Sequence, residues 1–127
     1  MRLLVTGAAG DFGRDLAPWL GAHHDVRVTD ARPLETDLEF IQADLCDRDR
    51  LTGICDNIET VIHLAALLPK DQYLTNAYFE ANAAAVALLA EEALRANVQR
   101  LIYLSTVWAT GHGIEEGSFV INEATPP

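Results

Sequence analysis

A chain of 127 residues, half of them apolar, is about one domain's worth of sequence and can bury a sizeable core, which excludes a disordered chain. Nineteen acidic side chains against nine basic ones leave a formal charge of −10, and such a surface repels a phosphate backbone, so nucleic acid is excluded as a partner. The opening residues Met1 to Gly10 carry one Arg and a short apolar run that Gly7 and Gly10 break too early for a signal peptide. No apolar stretch is long enough to span a bilayer, so the expectation is a cytoplasmic protein with no membrane partner.

The chain alternates short β-rich runs with longer helical stretches. Leu3–Thr6 reads as the first strand and ends at a glycine. Asp11–Leu20 follows as a helix, with Phe12, Leu16, Trp19 and Leu20 at helical spacing and Pro18 inside it as a possible kink. Val26–Thr29 reads as a second strand, Phe40–Ile41 as a third, Asp47–Cys55 as a short helix and Val61–Leu64 as a fourth strand. An Ala- and Leu-rich helix is expected from about Thr75 to Ala96, with Glu91, Glu92 and Arg95 facing water. Val86, Leu88, Leu89 and Leu94 are expected mostly to pack on the sheet. Leu101–Leu104 is a fifth strand, and the text after Ser105 is loop-like.

This alternation predicts an α/β, Rossmann-type doubly wound parallel sheet of about five strands in the order 3-2-1-4-5. Residues 1–127 read as one such domain, incomplete before a sixth strand. The two cysteines, Cys46 and Cys55, would lie about 13 Å apart along one helix, too far for a disulfide. They read as buried free thiols, and with no CxxC or CxxH neighbour no metal site is expected.

The sharpest signal is Thr6-Gly7-Ala8-Ala9-Gly10-Asp11-Phe12-Gly13, which leaves a strand and opens a helix. One glycine permits a tight bend, another lets the backbone approach a pyrophosphate, and the third lets helix pack on strand. The free N–H groups at the helix start, around Asp11 and Phe12, then face the phosphates. Asp30 ends the second strand 17 residues beyond Gly13. A carboxylate there accepts both ribose hydroxyls of NAD and repels the 2′-phosphate of NADP. Arg32, two residues on, could pair with a phosphate and softens that exclusion. The predicted cofactor is therefore NAD.

With its Gly7-x-x-Gly10-x-x-Gly13 spacing, the chain resembles the amino-terminal part of the extended short-chain dehydrogenase/reductase family, which includes NAD-dependent epimerases and dehydratases of sugar nucleotides. Further segments agree in order along the chain. Ala43-Asp44-Leu45 is similar to the family's acidic contact near the adenine, and His63-Leu64-Ala65-Ala66 resembles the stretch that closes over the cofactor. Asn82 matches the helix asparagine that braces the active-site backbone. Leu104 to Gly111 resembles the family's Ser-Ser-x-x-x-Tyr-Gly segment.

The resemblance implies cofactor contacts from Gly7, Gly10, Asp11, Phe12, Gly13, Asp30, Asp44, Leu45, Leu64, Ala65, Ala66, Asn82 and Leu104. It places Thr106 where the family keeps a catalytic Ser or Thr, with no metal. His63 reads as a satisfied core histidine, and His23 and His24 as surface turn residues. The implied function is hydride transfer at a hydroxyl-bearing carbon of a sugar or sugar nucleotide. The alternatives are a uronate-type sugar dehydrogenase of the same family and a non-catalytic NAD-binding module.

The chain departs from the family pattern in two places. Thr110 replaces the tyrosine before Gly111, a loss the uronate dehydrogenases share. The catalytic Tyr-x-x-x-Lys is absent: Tyr73, Tyr78 and Tyr103 have no lysine four residues later, and Lys70 is the only lysine. The expectation is thus a chain inactive alone, part of a longer enzyme. A fifth strand left as a sheet edge and an open helix face suggest association, and a homodimer is one outcome.

Overall fold

The computed structural model describes residues 1–68 and 76–106. Five parallel strands, β1 (Arg2–Thr6), β2 (Asp25–Asp30), β3 (Glu39–Gln42), β4 (Thr60–His63) and β5 (Arg100–Tyr103), form one sheet in the order β3-β2-β1-β4-β5. This is the order expected from the sequence. It reverses between β1 and β4, where Thr6 pairs with His63, and such a reversal opens a crevice at the carboxyl ends of the strands.

Near-continuous apolar runs build the central strands because both faces are covered. On one face α1 (Asp11–Gly21) packs through Ala17 and Leu20 onto Leu3, Val5, Val26 and Val28. On the other, α4 (Ala85–Arg95) sets Ala85, Leu89 and Ala93 against Leu4, Val61, Ile54 and Ile58. Each fully buried Leu or Val contributes about 1.5–3 kcal/mol relative to exposure. Helix α1 runs through Pro18 without ending there.

The expected helix over Asp47–Cys55 shortens to α2 (Arg48–Leu51). Asp47 caps it by accepting N–H bonds from Asp49 and Arg50, and Gly53, in left-handed backbone at φ 84°, turns the chain away. Cys46 and Cys55 therefore do not share a helix. Cys46 is exposed, contrary to the expectation, and Cys55 is buried.

The long Ala/Leu helix is present but not uniform. It runs as α3 (Asn76–Phe79), a π-helical turn over Glu80–Ala84, and α4. Leu89 is fully buried and Leu88 packs on the core, whereas Leu94 is 77% exposed. Glu92 does not face water as expected. It is buried, because its Oε1 accepts the Gly53 N–H at 2.8 Å while Arg95 pairs with both of its oxygens. The unpaired donor of the turn after α2 explains why a carboxylate is drawn inward there.

Among the described residues, strand β5 is an edge of the sheet, with all four of its residues exposed. His23 and His24 lie in the turn after α1.

Candidate functional site

Parallel strands deliver their following loops to one edge of the sheet. The glycine turn after β1, Asp30 at the end of β2, Asp44 after β3, Leu64–Ala66 after β4 and Leu104–Thr106 after β5 all lie at that carboxyl edge.

The glycine turn is built by steric necessity. Gly7 has φ +73°, and a Cβ there would sit 2.6 Å from the Ala65 backbone nitrogen. A Cβ on Gly13 would collide with the Gly7 carbonyl oxygen and approach the Ala8 Cα to 2.6 Å. Glycine at these two positions lets β1, α1 and the Leu64–Ala66 loop meet with no side chain between them. The Gly10 N–H donates to the Gly7 carbonyl at 3.0 Å and closes the bend. Gly10 is also the N-cap of α1 and brings no side-chain acceptor to the N–H groups of the first turn, at Asp11, Phe12 and Gly13. The Phe12 side chain is 71% exposed.

Asp30 is held against this turn. Its Oδ2 accepts the Ala9 N–H at 2.9 Å and its Oδ1 accepts the Arg32 N–H at 2.9 Å. The Arg32 guanidinium adds bonds from Nε at 3.1 Å and Nη2 at 3.4 Å. Burial alone would raise the Asp30 pKa, but the Arg32 side chain, the two backbone donors and the arginine's charge together hold it below the usual carboxylate value. Asp30 is thus an anion with a fixed orientation.

On the other side of the crevice, the buried Thr6 hydroxyl lies 2.7 Å from His63 Nδ1 and accepts the Ala65 N–H at 3.3 Å. His63 is buried and stacks on Tyr103 with ring centroids 5.4 Å apart. Burial lowers its pKa, so the ring is neutral. Its Nε2 has no partner among the described residues, so the expected satisfied histidine is satisfied at one nitrogen. Asn82 sits in the π-helical turn and clamps the Leu67 main chain, accepting its N–H at 2.7 Å and donating to its carbonyl at 2.8 Å. The π turn over Glu80–Ala84 carries this residue, and such turns are common at functional positions.

Of the remaining sequence candidates, Asp44 is exposed and accepts the Cys46 N–H at 2.9 Å. Leu45 has its side chain in the core, so only its main chain faces outward. Leu104 is bonded through its N–H to the His63 carbonyl at 3.1 Å, and Thr106 follows two residues later, exposed. Thr110 lies outside the described residues. Sequence reading missed two residues, Thr6 and Arg14; the Arg14 Nε donates to the Ala9 carbonyl at 3.1 Å and ties α1 to the turn. Their types carried no signal, since any strand may end in Thr and any helix may carry Arg on its first turns. Among the described residues no cluster of His, Cys, Asp and Glu could hold a metal, and no helix is long and apolar enough to cross a membrane.

These features define a dinucleotide-binding Rossmann domain, and its residues fit NAD: an open helix start for the pyrophosphate and a fixed carboxylate for the ribose. The NAD dependent epimerase/dehydratase family matches residues 3–127, and the chain belongs to that family. It is 35% identical over 105 residues to an L-arabinose 1-dehydrogenase (NAD(P)+) of Haloferax volcanii, covering 83% of this chain and 41% of that one. A 3β-hydroxysteroid dehydrogenase/isomerase of Mycobacterium tuberculosis is 33% identical, over 83% of this chain and 31% of the relative. Among solved structures, MoeE5 in complex with UDP-glucuronic acid and NAD superposes with a TM-score of 0.84 at 33% identity, over all of this chain and 42% of that one. The uronate dehydrogenase of Agrobacterium tumefaciens gives 0.73 at 27% identity, over 83% and 40%. The chain therefore spans less than half the length of the proteins it resembles.

Proposed function

We propose that this chain is the NAD-holding part of an oxidoreductase that acts at a hydroxyl-bearing carbon of a sugar, with a sugar acid or aldose favoured over a sugar nucleotide. The observation that carries the reading is Asp30 bonded to the Ala9 N–H, which places a fixed anion beside an uncapped helix start. Sugar dehydrogenases among the relatives, and Thr110 in place of the family tyrosine, support the substrate class.

Gly7 and Gly13 leave room for the main chain to approach the pyrophosphate, and the first turn of α1 donates to it. Asp30 receives the ribose hydroxyls. The Asn82 clamp on Leu67 holds the loop that follows Leu64–Ala66, and Thr106 orients the substrate oxygen. Bound NAD supplies a hydride acceptor for the substrate C–H, while the hydroxyl proton passes to a general base. The family's Tyr-x-x-x-Lys supplies that base, and the pair is not in this sequence. Turnover is accordingly expected only in a chain that carries such a pair, and NAD binding in the 127 residues themselves.

The test is to incubate the full-length gene product with NAD and, separately, uronic acids, aldoses, UDP-sugars and a 3β-hydroxysteroid, following NADH formation. NADH from a uronic acid or aldose supports the reading. Turnover of the steroid alone, or epimerisation of a UDP-sugar with no net NADH, refutes the substrate class.

A further inference from the structure

Strands β2 and β3 are parallel neighbours, yet residues 31–38 join them without a helix. Such a crossover is usually helical and packs over the sheet. Here the connecting segment stands off from α1, and a cavity of about 430 Å3 lies between them. That volume is within the ~300–1,000 Å3 range of small-molecule sites. Helix α1 and strand β2 contribute the buried Ala17 and Val28 to its lining, and the connecting segment contributes Leu34 and Leu38. The fold shapes this wall. Thr36 Oγ1 accepts the Leu38 N–H at 3.2 Å, and a Cβ on Gly21 would stand 2.7 Å from Leu38 Cδ2, so glycine there lets the leucine reach α1.

Polar groups of both signs border the same cavity. Arg14 and Glu35 line it, and both are exposed. Neither forms an ion pair among the described residues. Arg14 bonds the Ala9 carbonyl through Nε, which leaves its two Nη nitrogens for another acceptor. Pro18, also in the lining, has no N–H to give the Arg14 carbonyl, so that oxygen lacks its usual helical donor. Of the residues expected to touch the cofactor, only Gly13 borders the cavity.

We infer that this cavity binds a small zwitterion with an apolar side chain, an α-amino acid of about leucine's size. Its carboxylate takes paired, charge-assisted hydrogen bonds from the Arg14 Nη nitrogens. Its ammonium meets Glu35, with the Arg14 carbonyl as a second acceptor. Its side chain leaves water for Ala17, Val28, Leu34 and Leu38. A ligand with one charge would leave either Arg14 or Glu35 unmatched. The inference stands whether or not the glycine turn holds NAD.

The experiment is a methyl NMR titration of the full-length gene product, 13C-labelled at Ala and Val, with L-leucine. 4-Methylpentanoate, which lacks the ammonium, and isoamylamine, which lacks the carboxylate, serve as comparison probes. L-leucine is expected to shift the Ala17 and Val28 methyl signals saturably, with and without saturating NAD, and to bind more tightly than either comparison probe. Arg14→Ala should raise its dissociation constant about tenfold, the size of a lost charged hydrogen bond. Glu35→Ala, on an exposed segment, should raise it about threefold. Saturable shifts that survive in both variants at wild-type affinity overturn the proposal, as does the absence of any saturable shift at these methyls. A comparison probe that binds as tightly as L-leucine overturns the zwitterion. Loss of L-leucine binding at saturating NAD would make the cavity part of the cofactor site and overturns the proposal as well.

Discussion

The Thr6 hydroxyl and His63 Nδ1, 2.7 Å apart and both buried, join β1 to β4 at the point where the strand order reverses. The hydroxyl also accepts the Ala65 N–H, so it ties β1 both to the His63 ring and to the loop after β4. Thr6→Val keeps the shape and removes both bonds. It is expected to cost about 1–3 kcal/mol in urea denaturation and to weaken NAD binding by loosening the Ala65 loop. A variant with wild-type stability would show that the bond is not formed.

Burial lowers the His63 pKa below its ordinary value of 6.5. The folded state then resists protonation more than the unfolded chain does. The contribution to stability is complete above about pH 6.5 and is lost as pH falls from there through the folded pKa. In His63→Gln the slope of stability against pH over this window should flatten. A slope equal to that of the wild type would mean that other groups carry it.

Gly13→Ala drives a methyl into the Gly7 carbonyl and Ala8. The backbone must shift, so the variant should lose saturable NAD binding and unfold at lower urea. Gly53→Ala is the contrast: its Cβ would meet only the Asp56 carboxylate at 3.3 Å, and strain at φ +84° is the main penalty. That variant is expected to cost about 1 kcal/mol with NAD affinity retained. Equal loss of NAD binding in both would make the effect global rather than local to the turn.

The two thiols should differ in reactivity. Burial pushes the Cys55 thiol up to about 12, with the Glu92 charge adding to it, whereas Cys46 is exposed. An alkylating reagent at neutral pH should modify Cys46 alone, and Cys55 only after unfolding. A folded pKa above the unfolded one also means that this contribution to stability holds below about pH 9 and fades as pH rises toward 12. Rapid double labelling of the native chain would contradict the burial.

Asn82→Ala removes both bonds to the Leu67 main chain. Amide exchange at Leu67 should accelerate while α4 stays protected. Unchanged exchange at Leu67 would show that the asparagine does not hold this loop.

Much of the architecture was legible because strong local signals agree. The strand–glycine–helix junction at Gly7–Gly13 and the apolar runs of β1, β2 and β4 set the parallel sheet, and the position of Asp30 at the end of β2 was legible with them. The residues that were not legible depend on distant partners. Glu92 reads as a surface position on its helix and is buried only because Gly53, far away in sequence, presents a donor to it. The end of α2 at Leu51 depends on a left-handed Gly53, which periodicity does not reveal. The π turn at Asn82 coincides with two bonds to a loop that precedes it, a pairing that helical periodicity does not reveal. Arg32 reads in the sequence as a cation that could meet a phosphate, and its bonds to the Asp30 carboxylate required the fold.

Hydrogen–deuterium exchange of the 127-residue chain with and without NAD tests the central claim most directly. The account predicts protection on NAD addition over residues 7–13, at Asp30 and Arg32, and over residues 64–66, with the far end of the sheet unchanged. Exchange in those segments that stays the same at saturating NAD would contradict it.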